Sequence, residues 1–167
     1  MAMMDQKLRS ERLVFYEKDV QRIDEEIDGL LELSGSRCAF LIDKDGHLVT
    51  RRGDAVQSSL ESIAALVAGS FAATREMARL LGQDEFTTLF HQGERESIQI
   101  NLVGERALLA MVFDQRTNLG MVRYYAVESV RRLTEILNEI DGREAAPTSG
   151  LSSDFSSSAA AALDKLF

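Results

Sequence analysis

His47, His91 and the single cysteine, Cys38, are the residues of this 167-residue chain best suited to metal or nucleophilic chemistry. Their settings separate them. Cys38 opens the apolar run CAFLID, His47 starts the strand after a turn, and His91 lies in the irregular stretch QDEFTTLFHQGERE. A free cysteine in such a run is usually a small hydrophobe. Asp43-Lys44-Asp45-Gly46 begins like a calcium loop, but that loop needs a glutamate at its twelfth position, where Asp54 stands. Asp-Gly here reads as a hairpin turn. The phosphate loop GxxxxGK[ST], the elbow GxSxG and the zinc motif HExxH do not occur in the sequence. Carboxylates are plentiful, but most fall on polar helix faces. The expectation is a chain with no catalytic site, no metal and no cofactor, working through surfaces that bind.

The most informative surface is on residues 58–81, a long helix expected to be closed by Gly82 as its C-cap. Leu60, Ile63, Leu66, Val67, Phe71, Met77 and Leu81 share one arc, which is expected to face a sheet. The opposite arc holds Ala65, Ala68, Gly69, Ala72 and Ala73, bordered by Glu61, Glu76 and Arg79. A solvent face would carry lysine, glutamate and glutamine. Small residues at spacings of four instead allow another helix or domain to approach closely. A mid-helix glycine costs about 1 kcal/mol against alanine, which a packing contact offsets. The competing reading is an alanine-rich helix chosen for propensity alone.

Residues 97–103 give a second surface. Ile98, Ile100 and Leu102 alternate with Gln99 and Asn101, the pattern of a half-buried strand, read here as an edge strand. It has no proline or lysine to block pairing with another copy. A two-fold dimer joining edge strands and setting small-residue helices side by side would use both features.

The remaining elements position these two. Leu13, Tyr16, Val20, Ile23, Ile27 and Leu30 mark an amphipathic helix ended by Ser34-Gly35-Ser36. Residues 37–43 and 106–114 are apolar runs suited to central strands covered on both faces. Residues 47–51 return after the hairpin turn. Residues 121–125 read as a last strand, and Val127, Val130, Leu133 (or Thr134), Leu137 and Ile140 as a closing helix. The order is α-β-β-α-β-β-β-α: an α/β (α+β) fold, a three-layer α/β/α sandwich on a five-stranded antiparallel sheet. The domain is expected to span residues 12–141, after a disordered N-terminus at 1–11. A Ser-rich linker at 142–158 and a short C-terminal binding segment at 159–167 follow. In that segment Leu163, Leu166 and Phe167 fall on one side of a helical turn.

The net charge of −8 argues against nucleic acid or an anionic membrane as partner. One cysteine forbids an intrachain disulfide. With no secretory or membrane-spanning pattern, a cytoplasmic location is expected.

The strand LIDKDGHLV, the helix IAALVAGSFAATREMARLLG and the segment FHQGERESIQINLVGERALLAMVFDQRTNLGMVR, in this order, resemble the roadblock/dynein light chain family, and within it the MglB-type gliding and polarity regulators. The match covers about residues 13–141 and the terminal LDKLF. The resemblance implies a homodimer joined through the third strands, which here would be Ile98, Gln99, Ile100, Asn101 and Leu102. It implies GTPase activation toward a Ras-like small GTPase of the MglA type, in a 2:1 complex, with concentration at a cell pole. The partner face would be Ala65, Ala68, Gly69, Ala72, Ala73, Glu76 and Arg79, with Leu163, Leu166 and Phe167 as a second contact. No arginine finger is implied. Arg51, Arg52, Arg75, Arg79 and Arg95 are the exposed candidates against which that is judged, none of them expected on a projecting loop with neighbouring residues to hold it in place. The other reading is a scaffold that binds a GTPase or motor complex without stimulating hydrolysis.

Overall fold

A computed structural model describes residues 15–54, 56 and 59–145. The chain divides into two compact units, Val14–Asn138 and the two chain ends, Met1–Leu13 with Glu139–Phe167. Of the second unit the described part is 139–145, which completes the last helix. The expected N-terminal tail lies outside the described residues, as do most of the linker and all of the C-terminal segment.

The elements are α1 (Glu17–Ser34), β1 (Cys38–Asp43), β2 (Leu48–Gly53), α2 (Leu60–Leu80), β3 (Thr88–His91), β4 (Ser97–Val103), β5 (Ala107–Phe113) and α3 (Leu119–Ala145). The sheet is antiparallel throughout, in the order β2-β1-β5-β4-β3. α2 covers one face. Its Ala64, Val67, Ala68 and Phe71 pack with Phe40, Ile42, Ile100, Leu108 and Ala110. Strand alternation sends Ala39, Leu41, Leu109 and Met111 to the other face, and all four are buried. α1 and α3 lie there, linked by the Ser129 hydroxyl donating to Glu26 at 2.8 Å. α1 is tied to β2 by Thr50 donating to Asp24 at 2.5 Å and by Arg52 forking onto Asp28 at 2.8 and 2.7 Å.

The fold class stands, but two elements change places. Residues 121–125 are helix, not strand. Asn118 starts α3 by accepting the Met121 N–H at 3.0 Å. Val122, Ala126, Ser129 and Leu133, at steps of four, three and four, form its buried stripe. The β-branched and aromatic content of MVRYY suggested a strand; the period over a longer window decided otherwise. The fifth strand is Thr88–His91, inside the stretch expected to be irregular. Four residues are too few to display a period.

β4 is consequently not an edge. It pairs with β5 on one side and β3 on the other. Ile98, Ile100 and Leu102 face the α2 layer as expected. Gln99 and Asn101 are buried rather than solvated. The Gln99 amide donates to Asn101 Oδ1 at 3.3 Å, which offsets part of the cost of burying both. The last helix also runs to Ala145, past the expected domain end at 141.

Candidate protein-interaction surfaces

α2 begins at Ser59, whose hydroxyl accepts the Ser62 N–H at 3.4 Å. Its buried residues are Ala64, Val67, Ala68, Phe71, Thr74 and Ala78. That arc is rotated from the expected one. Leu66 and Met77, assigned to the core arc, are 71% and 51% exposed, and Leu81, just past the helix end, is 69% exposed. Ala68, assigned to the partner face, is 9% exposed and belongs to the core. Gly46 explains this. It turns the β1–β2 hairpin at a φ of 90°, and a Cβ there would lie 3.1 Å from the Ala65 Cα and 3.5 Å from the Ala68 Cβ. Small residues at 65 and 68 therefore admit the hairpin of the same chain. Side-chain size outweighed position in the sequence-based arc: the small residues Ala64 and Ala68 fill the tight contact with the sheet, and larger ones such as Leu66 and Met77 are left outside.

The outward face of α2 carries Leu66, Gly69, Ala73, Met77 and Leu80, a stripe at helical spacing, flanked by Ala65 and Ala72; all are exposed. Charge is confined to its borders. Arg79 grips Glu76 at 2.5–3.1 Å and holds its carboxyl below the ordinary carboxylate value. Arg75 pairs with Glu85 at 3.0 Å.

The two sheet edges differ as well. β2 ends on two half-buried cations, Arg51 and Arg52. β3 is TLFH, without proline or a permanent charge. Leu102 N–H donates to the Thr87 carbonyl at 2.8 Å. In an antiparallel ladder the alternation then turns the Thr88 and Phe90 N–H groups outward, away from β4. Phe90 stacks on Phe113 with centroids 6.2 Å apart, and the Arg123 guanidinium lies 5.8 Å from the Phe90 centroid.

The arginines expected to be exposed have structural partners in all but one case. Arg52 holds Asp28, Arg75 holds Glu85, Arg79 holds Glu76, and Arg51 donates to the Asp54 carbonyl at 3.3 Å. Arg95 stands in the turn between β3 and β4, with no side-chain partner among the described residues.

Asp43, Asp45 and His47 bring ligand atoms within 4.8 Å of one another, the one such group among the described residues. Asp43 Oδ1 accepts the N–H groups of Asp45 and His47, both at 2.9 Å, and Oδ2 lies 3.3 Å from His47 Nδ1. This is an aspartate stabilising its own turn. Cys38 is buried, and burial pushes its thiol pKa up. Asp54, which stands where a calcium loop would need glutamate, accepts an ion pair from Arg37 instead. No described helix is long and apolar enough to cross a membrane.

The Roadblock/LC7 domain model matches residues 22–113, from α1 through β5. The chain belongs to the Roadblock/LC7 domain family. Solved structures agree with this roadblock assignment. The gliding protein MglB of Thermus thermophilus is 35% identical, with a TM-score of 0.72, over 76% of this chain and 96% of that one. Myxococcus xanthus MglB is also 35% identical, with a TM-score of 0.68, over 71% and 96%. A Roadblock/LC7 domain from Streptomyces avermitilis, at 18% identity and a TM-score of 0.61 over 68% and 96%, shares the fold. No curated protein matches the chain by sequence.

Proposed function

We propose that this roadblock domain is a GTPase-activating regulator of a small Ras-like GTPase of the MglA type, acting as a homodimer in the cytoplasm, concentrated at a cell pole. The observation that carries it is the outward face of α2: an apolar, charge-poor stripe on a chain 35% identical to MglB over about three quarters of its length. An exposed stripe of Leu66, Met77 and Leu80 calls for a protein contact. In this reading the dimer uses the free edge of β3, with its outward N–H groups, in place of Ile98–Leu102. Paired α2 helices then form the floor on which the GTPase sits. Ala65, Gly69, Ala72, Ala73, Glu76 and Arg79 remain candidate contacts. Ala68 leaves that set, and Leu66 and Met77 join it.

A GTPase lying across a two-fold axis covers the related copy of its own site, so the complex is 2:1. Activation proceeds by reshaping the GTPase, since Arg52, Arg75 and Arg79 are held by carboxylates. A true finger supplies about 10³–10⁵ in rate. Arg95 is the residue on which this rests. Arg95→Ala is expected to keep most of the stimulated turnover at saturating protein; a thousandfold loss with normal binding would make it a finger. Residues 159–167 make the second contact.

The experiment is GTP turnover by the MglA-type GTPase with and without this protein. Stimulation supports the reading. Stable binding with unchanged turnover would make the protein a scaffold.

A further inference from the structure

A second apolar surface lies on the other side of the sheet, where a groove of about 590 Å³ runs between α1 and α3. Leu33 of α1 and Tyr124 and Val127 of α3 line it, and they are 59%, 74% and 69% exposed. Gly29 lies in it, in the middle of α1, where an added Cβ would meet nothing within 4 Å. A mid-helix glycine weakens its helix relative to alanine. No contact within the described fold requires it, so the bare backbone there admits a segment from outside. The groove is also acidic. Glu25, Glu26 and Glu128 stand along it against a single cation, Arg132, which is engaged by Glu128 at 3.2 Å and Glu26 at 3.4 Å. Among the described residues Glu25 accepts only from the Gln21 amide, at 3.4 Å. Glu32, three residues past Gly29, is exposed and has no ion-pair partner among them.

We propose that this groove is a docking site for a Lys- and Arg-rich amphipathic helix of another protein, its apolar side seated on Leu33, Tyr124 and Val127 and its cations reaching Glu25 and Glu32. The walls decide the form of the occupant. Both are helices, whose backbone groups are bonded internally, so an added strand would find no ladder to join. A helix needs only to lay its side-chain ridges between those of α1 and α3, with anchors at i, i+3, i+4 and i+7. Gly29 lets its backbone come close.

The charges decide the partner. A second copy of this chain is disfavoured, because a two-fold pairing of this face sets Glu25 and Glu32 against their own equivalents, and like charges across an interface repel. An anionic membrane meets the same repulsion. A cationic helix is instead drawn in from a distance by the chain's net charge of −8. The inference does not rest on the GTPase reading, because α2 and its outward stripe lie on the opposite side of the sheet.

The test uses a fluorescein-labelled peptide of about 18 residues, roughly five helical turns. It is built of leucine and lysine, with leucines at i, i+3, i+4 and i+7, and its fluorescence anisotropy is read against the full chain. The expected result is saturable binding at micromolar concentration. The same residues in scrambled order, or glutamate in place of lysine, should bind about tenfold more weakly or worse. Gly29→Trp, which fills the groove, and Glu25→Lys with Glu32→Lys, which reverses its charge, should each lower affinity about tenfold, with the fold retained by circular dichroism. Equal binding of the scrambled peptide would overturn the proposal, showing attraction by net charge alone. So would the absence of saturable binding. Binding kept in Gly29→Trp and lost in Leu66→Arg would place the peptide on α2 and overturn it too. A smaller sedimentation coefficient for Gly29→Trp would give the groove to a second copy, with the same consequence.

Discussion

The two helical layers of this sheet are built on opposite principles. The outward face of α2 is a stripe of Leu66, Met77 and Leu80 with alanine and glycine between, and its charges stand at the margin. The outer surface of α1 and α3 is laced with ion pairs. Arg131 bridges Glu128 at 2.6 Å and Glu135 at 2.5 Å, Arg132 reaches Glu128 and Glu26, and Arg52 forks onto Asp28. Exposed pairs of this kind contribute little stability each, about 0–1 kcal/mol, but they keep a surface solvated. The lesson is that stability and recognition are divided between layers. The ion-paired layer sets charge among its exposed side chains, whereas the α2 layer leaves an apolar stripe uncovered along most of its length.

The sharpest contrast lies within α2 itself. Ala68→Arg forces a charged chain into the contact with Gly46, and is expected to cost on the order of 3 kcal/mol or more, read as a fall in the urea midpoint. Leu66→Arg, two residues away and exposed, should move stability by less than about 0.5 kcal/mol. Similar midpoints for the two variants would show that the buried and exposed arcs have been misplaced.

The contrast between layers is broken next. Met77→Glu on the α2 stripe is expected to weaken the dimer by roughly thirtyfold, equivalent to about 2 kcal/mol at an interface hot spot. Val127→Glu on the α1/α3 layer should leave it unchanged. Sedimentation velocity across a dilution series measures both. A dimer unweakened by Met77→Glu would mean that it does not use this stripe of α2.

A smaller effect is expected at the sheet edge. Thr88→Pro removes one outward N–H and spares the ladder to β4. The loss of one backbone hydrogen bond, about 1 kcal/mol, corresponds to roughly fivefold weaker dimerisation. The same substitution at Leu89, whose N–H points toward β4, should instead lower the melting temperature of the protomer.

The smallest effect belongs to the ion-paired layer. The Arg52 guanidinium holds the Asp28 carboxyl below its ordinary value of 3.8. A depressed carboxylate stabilises the fold above its unfolded pKa, and that contribution is lost as pH falls through the folded one. Arg52→Ala should therefore flatten the dependence of stability on pH below about 4, with little change at neutral pH. A steeper acid limb in the variant would contradict the assignment.

Much of this molecule was legible in one dimension. The stripe of α1, the apolar runs of β1 and β5, the Asp-Gly hairpin and the long second helix all follow from local period and turn chemistry, which act over a few residues. Asn118 and the Val122–Ala126–Ser129–Leu133 spacing were available as the signal for α3, although the β-rich MVRYY run overrode them. The neighbours were not legible. Whether Ser97–Val103 lies at an edge depends on four residues, Thr88–His91, too short to show a pattern. Which side of α2 meets the sheet depends on how closely the hairpin at Gly46 approaches Ala65 and Ala68. Composition cannot separate an alanine that admits its own chain from one that admits a partner, because both need the same small side chain. Only the distance between two segments far apart in sequence decides between them, and that distance exists only once the chain has folded.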